Sequence, residues 1–149
     1  MLDNEYTQTM HGYFNAVLRM RQDLRQRVQR KLGEYGHADI TMEMTQVLYY
    51  IHFIAKEQKT NQQDIADRTG KNKASVTSLI DNLVKRNLVE RKMDPRDRRS
   101  NIITLTEEGL KFVEEIYDKV YKTFDLAKSA ISLEQLKKMT TMMESLMEN

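Results

Sequence analysis

Residues 93–101 read MDPRDRRSN: three arginines within four positions (Arg96, Arg98 and Arg99), two aspartates among them (Asp94 and Asp97), and the only proline of a 149-residue chain. On either side stand short segments of strand character, Leu88 to Lys92 and Asn101 to Leu105, the second rich in β-branched residues. The spacing predicts a β-hairpin with MDPRDRRS as its loop. What precedes that hairpin decides the fold.

The preceding segment, residues 60–87, reads TNQQDIADRTGKNKASVTSLIDNLVKRN. Thr60 followed three positions later by Gln63 has the form of a capping box, Ile65 and Ala66 give a short helix its inward face, and Gly70 supplies the left-handed residue that ends it. A second helix is predicted from about Asn72. It puts Val76, Leu79, Ile80, Leu83 and Val84 on one face, and Ala74, Ser75, Ser78, Asn82 and Lys85 largely on the other. Two short helices around a glycine turn, followed at once by a hairpin, have the pattern of a helix-turn-helix with a wing.

The flanks read as helices. Apolar residues recur at Tyr6, Met10, Tyr13, Phe14, Val17, Leu24, Val28 and Leu32, a helical face that is expected to run about 25 residues, about 38 Å, and to end near Gly33 and Gly36. Thr41 is the expected N-cap of a helix carrying Met44, Val47, Leu48, Ile51 and Ile54. Beyond the hairpin, Thr106 caps a helix with the stripe Leu110, Val113, Ile116, Tyr117, Val120 and Phe124. Ser132 with Gln135 opens a last one carrying Leu133, Leu136, Met139, Met143 and Leu146. The expected fold is therefore mainly α. Residues 41–105 form a winged helix-turn-helix lobe with a two-stranded β wing, and the helices of 1–36 and 106–149 form a dimerisation region within one domain of 1–149.

Charge locates a partner. Residues 1–60, 61–105 and 106–149 have formal balances of +1, +4 and −3, so the positive excess lies in the winged segment, where a polyanion would be held. The early residues of the second helix, Lys73, Ala74, Ser75, Thr77 and Ser78, would face the major groove of duplex DNA. Arginine suits the narrow minor groove beside it. Asp94 with Arg96, and Asp97 with Arg99, are expected to hold the guanidinium groups by charge-assisted hydrogen bonds. Lys85, Arg86, Arg91 and Lys92 lie nearby in sequence. The expected DNA-binding set is thus Lys73, Ala74, Ser75, Thr77, Ser78, Asn82, Lys85, Arg86, Arg96, Asp97, Arg98 and Arg99.

The order of helices, helix-turn-helix, wing and closing helices, together with DPRDRR followed by IITLTEEG, resembles the MarR family of transcription regulators over nearly the whole chain. Its wing signature D-x-R-D-x-R is matched by Asp94, Arg96, Asp97 and Arg99. The resemblance implies a homodimer on a pseudopalindrome, acting as a repressor. It matches the minor-groove arginine best to Arg99 and its orienting acid to Asp97, although the overlapping D-x-R units leave the choice of arginine open. It also implies release by a small aromatic or anionic effector near Met10, His11, Tyr13, Phe14, Tyr49, His52 and Phe53. Each of these residues has core packing as its alternative role.

Other classes are disfavoured. The five glycines, at 12, 33, 36, 70 and 109, build no phosphate loop, G-x-S-x-G and H-E-x-x-H do not occur, and His11, His37 and His52 are widely spaced in a chain without cysteine. No enzyme activity, metal or cofactor is expected. The first ten residues lack a secretory pattern, and the apolar run VLYYIHFIA at 47–55 is too short to span a bilayer, so a cytoplasmic protein with no membrane partner is expected. The rival that remains is a winged-helix module for protein association that does not bind DNA.

Overall fold

A computed structural model describes residues 4–148, with the side chain of Arg98 also outside the description. The elements follow as α1 (Asn4–Glu34), α2 (Met42–Tyr49), β1 (Lys59–Thr60), α3 (Gln62–Thr69), α4 (Lys73–Lys85), β2 (Val89–Asp94), β3 (Asp97–Leu105), α5 (Glu107–Tyr121), α6 (Leu126–Ser129) and α7 (Leu133–Met147). Helix α1 has 31 residues, longer than expected because the helix is already formed at Asn4. Gly36, at φ +81°, supplies the left-handed turn after it.

Local capping explains most helix starts. Thr41 accepts from the Met44 N–H, Asn72 from Ser75, Thr106 from Gly109, and Ser132 closes a reciprocal capping box with Gln135. Gly70 sits at φ +68° after α3, as its position requires. The cap of α3 is Asn61 and not Thr60, because the Thr60 backbone is committed to β1 opposite Ile103 and its side chain is buried. Gln63 instead donates to Asp67.

The wing is larger than a two-stranded hairpin. β1 joins it, giving an antiparallel sheet in the order β1-β3-β2. Its loop is also far shorter than MDPRDRRS, since both strands run on until only Pro95 and Arg96 stand between Asp94 and Asp97.

One core joins these parts: Val28 and Leu32 of α1, Val47, Leu48 and Ile51 at α2, Ile65 of α3, Val76, Ile80 and Leu83 of α4, Ile103 of β3, and Val113, Ile116 and Val120 of α5. At the start of α5 the packing is tight enough that a Cβ on Gly109 would run into the Leu88 carbonyl oxygen. Two sequence assignments to the inward face and one omission from it are corrected. A single π turn, Tyr50–Ile54, follows α2 and changes the helical phase, leaving Ile54 exposed. Val84 is exposed at the end of α4, and Phe112, absent from the expected stripe of α5, is buried.

The two ends of the chain differ from the middle. Val28 and Leu32 are the buried residues of α1, both in its last two turns, and none of α7 is buried. Tyr6, Phe14, Leu18 and Met20 of α1 and Leu133, Leu136, Met139, Met143 and Leu146 of α7 are exposed. Where α1 meets the lobe, Arg25 pairs with Glu43. Burial raises the Glu43 pKa, but a backbone hydrogen bond and the Arg25 and Lys71 charges outweigh it and hold the carboxyl below the usual range.

Candidate nucleic-acid interface

The outward face of α4 is shared by Lys73, Ala74, Thr77, Ser78, Asp81 and Asn82. Helical spacing of three and four aligns them, while Val76, Leu79, Ile80 and Leu83 fix the opposite face in the core. Ser75 is exposed beside them. The face is therefore held by its own back.

Several of its polar groups are already engaged. The Asn82 amide donates to the Ser78 carbonyl at 3.0 Å, and its side-chain oxygen accepts from Arg86 at 3.3 Å. Arg86 also donates to the Asn82 carbonyl at 3.0 Å and pairs with Asp39 at 3.0 Å, so it anchors α4 to the segment after α1. Asp81 pairs with Arg91 of β2 at 2.6 Å, tying the helix to the wing strand. Lys73 and Lys85 have no carboxylate partner among the described residues and are exposed.

The wing carries a feature that its sequence does not announce. Met93 lies opposite Asn101, yet the next residue, Asp94, lies opposite Asp97, so Arg98, Arg99 and Ser100 are extra residues on β3 without partners in β2. Such a bulge bends the strand and re-aims its side chains. The Arg99 side chain is 94% exposed, whereas Arg96 lies in the two-residue turn at the tip.

The aspartates act differently from the expectation. Asp94 accepts the Arg96 backbone N–H at 2.9 Å and Asp97 accepts that of Arg99 at 3.0 Å. Only the second pair reaches the guanidinium, Arg99 Nε lying 3.6 Å from Asp97. The Arg96 guanidinium has no partner among the described residues. Short acidic side chains satisfy nearby backbone N–H groups, so here the carboxylates shape the main chain first.

The bulge and the helix meet. Asp97, Arg99, Ser100 and Asn101 line a hollow of about 460 Å³ together with Asn61, Gln62, Gln63, Ala66, Lys73 and Val76. Lys73 and Arg99, predicted from separate motifs, thus open onto one space. Two cations beside the amide-bearing residues Asn61, Gln62, Gln63 and Asn101 are groups that can hold a phosphate, with the Asp97 carboxylate opposing them in the same hollow.

A second cluster lies elsewhere. Tyr49 stacks on Tyr117 at 4.3 Å and contacts Phe53 at 4.8 Å and Tyr121 at 5.7 Å, while His52 meets Phe53 edge-on. The Tyr117 hydroxyl is buried beside Tyr121, and burial, with Tyr121 and Tyr49 alongside, pushes its pKa far above the ordinary tyrosine range. Tyr49, His52 and Phe53 were expected near an effector, but their partners on α5 were not. Tyr13 and Phe14 contact each other on α1, and His11 contacts Asn15.

Two short helices about a glycine turn, followed by a three-stranded sheet whose hairpin stands beside the second helix, define a winged helix-turn-helix protein. Residues 40–100 match the MarR family. The transcriptional regulator FarR of Neisseria gonorrhoeae is 27% identical over 131 residues, 87% of this chain and 86% of that one. BilQ of Clostridium symbiosum, also described as a transcriptional regulator, is 24% identical over 100 residues, 67% and 69% of the two chains. The crystal structure of a MepR–DNA complex from S. aureus superposes with a TM-score of 0.70 at 25% identity, covering 99% of this chain and 98% of that one. By these matches the chain is similar to the transcription regulators of the MarR family. Members of that family are regulators and not enzymes. Among the described residues no helix is long and apolar enough to cross a membrane.

Proposed function

We propose that the chain binds duplex DNA as a homodimer and regulates transcription from a palindromic operator. Helix α4 enters the major groove, and the β3 bulge brings Arg99 to the neighbouring minor groove. The observation that carries this reading is the common hollow of Lys73 and Arg99, where one stretch of phosphate backbone would pass between helix and wing. That MepR of S. aureus crystallised with DNA supports the choice of partner.

Residues 41–105 are the DNA-binding lobe in this proposal, and the helices of 1–36 and 106–149 make the dimer. The uncovered apolar residues of α7 and of the first half of α1 support it, since a two-fold partner would bury them. Such a dimer would set two α4 helices about 34 Å apart, one turn of DNA. Repression follows where the operator overlaps a promoter. An effector would act through the Tyr49–Tyr117 cluster, whose stacked rings and buried Tyr117 hydroxyl offer an apolar surface with a polar group inside it.

Fluorescence anisotropy against labelled genomic duplexes over a salt series tests the reading. The expected result is tight binding whose log K falls with log salt by about 0.9 per phosphate neutralised. A flat salt response would instead favour protein association without DNA.

A further inference from the structure

Hydrogen-bond accounting on α4 separates side chains free to read a base from those already engaged. Asn82 has one amide proton on Ser78 and one oxygen lone pair accepting from Arg86, so its orientation is set by the protein and half of its hydrogen-bonding capacity is already engaged. Asp81 is held by Arg91. Thr77 is the informative case. Its hydroxyl donates to the Lys73 carbonyl at 3.0 Å and accepts from Nε2 of Gln62, the first residue of α3, at 2.9 Å.

A threonine hydroxyl has a single proton. With that proton on Lys73, Thr77 has none for phosphate oxygen, guanine O6 and N7, adenine N7 or thymine O4, all of which are acceptors. What it still offers is a methyl group. Three positions earlier on the same face stands Ala74, whose side chain is a methyl alone. A remaining lone pair on Thr77 could accept from a base amino group, but Ala74 has nothing to add to such a contact, whereas two adjacent methyls complement a third.

We propose that Ala74 and Thr77 form an apolar patch that recognises the 5-methyl group of one thymine in each half-site. Gln62 is its positioning residue, holding the Thr77 hydroxyl from the neighbouring helix so that the methyl stays presented. The inference rests on the DNA-binding reading above. It divides the labour on α4: Ala74 and Thr77 discriminate, Asn82 and Arg86 brace, and Lys73 serves the backbone.

The test uses duplexes recovered by selection, with each thymine replaced in turn by deoxyuridine, which lacks only the methyl. At one position per half-site the replacement weakens binding about four-fold, the loss expected for one buried methyl-sized group. Thr77→Ser keeps the hydroxyl and both its bonds, and reduces the thymine-to-deoxyuridine ratio there to less than about two-fold by the same measure. Gln62→Ala lowers that ratio at the same position, whereas a merely structural role would weaken all duplexes equally. Salt-dependent binding with no sensitive thymine, or a full ratio retained by Thr77→Ser, overturns the methyl patch. An unchanged ratio in Gln62→Ala overturns the positioning role, and failure to bind any duplex overturns the DNA reading itself.

Discussion

Helix α4 and the β3 bulge border the same hollow, yet they are built in opposite ways. Along α4 the side chains that could reach DNA are fixed by neighbours: Thr77 by Lys73 and Gln62, Asn82 by Ser78 and Arg86, Asp81 by Arg91. In the bulge the main chain is shaped by Asp94 and Asp97, while the guanidinium of Arg99 is 94% exposed and meets one carboxylate at 3.6 Å. A braced helix can discriminate because its groups cannot rearrange to suit a wrong base. A loosely held cation can follow a groove whose width changes with sequence, at the cost of side-chain entropy on binding.

The largest effect that separates the two regions is expected from Arg99→Ala. Charge-assisted hydrogen bonds contribute about 1.5–3 kcal/mol, so affinity should fall about 10- to 100-fold per half-site. The melting temperature should stay within about 1 °C, because a side chain this exposed adds little to stability. Anisotropy and thermal denaturation on the same preparation check both halves, and a drop in melting with unchanged affinity would place Arg99 in the fold and not at DNA.

Next in size is the contrast between the adjacent residues Arg86 and Lys85. Arg86→Ala breaks the Asp39 pair and both Asn82 contacts. It should cost about 1 kcal/mol, lower the melting temperature by about 2–4 °C, and weaken every operator variant alike. Lys85→Ala should leave melting unchanged and reduce the salt slope by about 1. Equal melting curves for the two variants would mean that the brace is absent in solution.

The smallest effect belongs to Asp97→Ala, which removes an acceptor from a backbone N–H and frees Arg99. Net worth of about 1 kcal/mol predicts a loss of about five-fold in affinity. Asp97→Asn, which keeps an oxygen in place, should lose less. Should the asparagine and alanine variants bind alike, the charge and not the backbone bond would be what matters.

Much of this architecture was legible in the sequence because its signals are local. Asn72 and Ser132 announce helix starts through bonds that span three residues, and Gly70 marks its turn by its own φ. The features that escaped are set by distant partners. Thr60 reads as a helix cap until Ile103, more than 40 positions away, claims its backbone for a third strand. Arg86 reads as a member of the DNA-binding set, and only the fold adds its pairing with Asp39, 47 positions off in sequence. Of the candidate interface, the outward face of α4 was readable from helical spacing, whereas the bulge depends on a register that no single strand displays. The hydrogen bond from Gln62 to Thr77 crosses the helix turn and could be suspected only once that turn was known.

The three unpaired residues of β3 also separate two kinds of change. The ladder on the core side is anchored by Met93 opposite Asn101 and closes again at Asp94 and Asp97. Substitutions at positions 98–100 therefore leave the strand pairing intact, as if these positions were an interchangeable cassette. On the DNA-binding proposal, exchanging these three residues would change which duplexes, stiff or pliable, the wing accepts, while helix α4 and the paired ladder stay as they are.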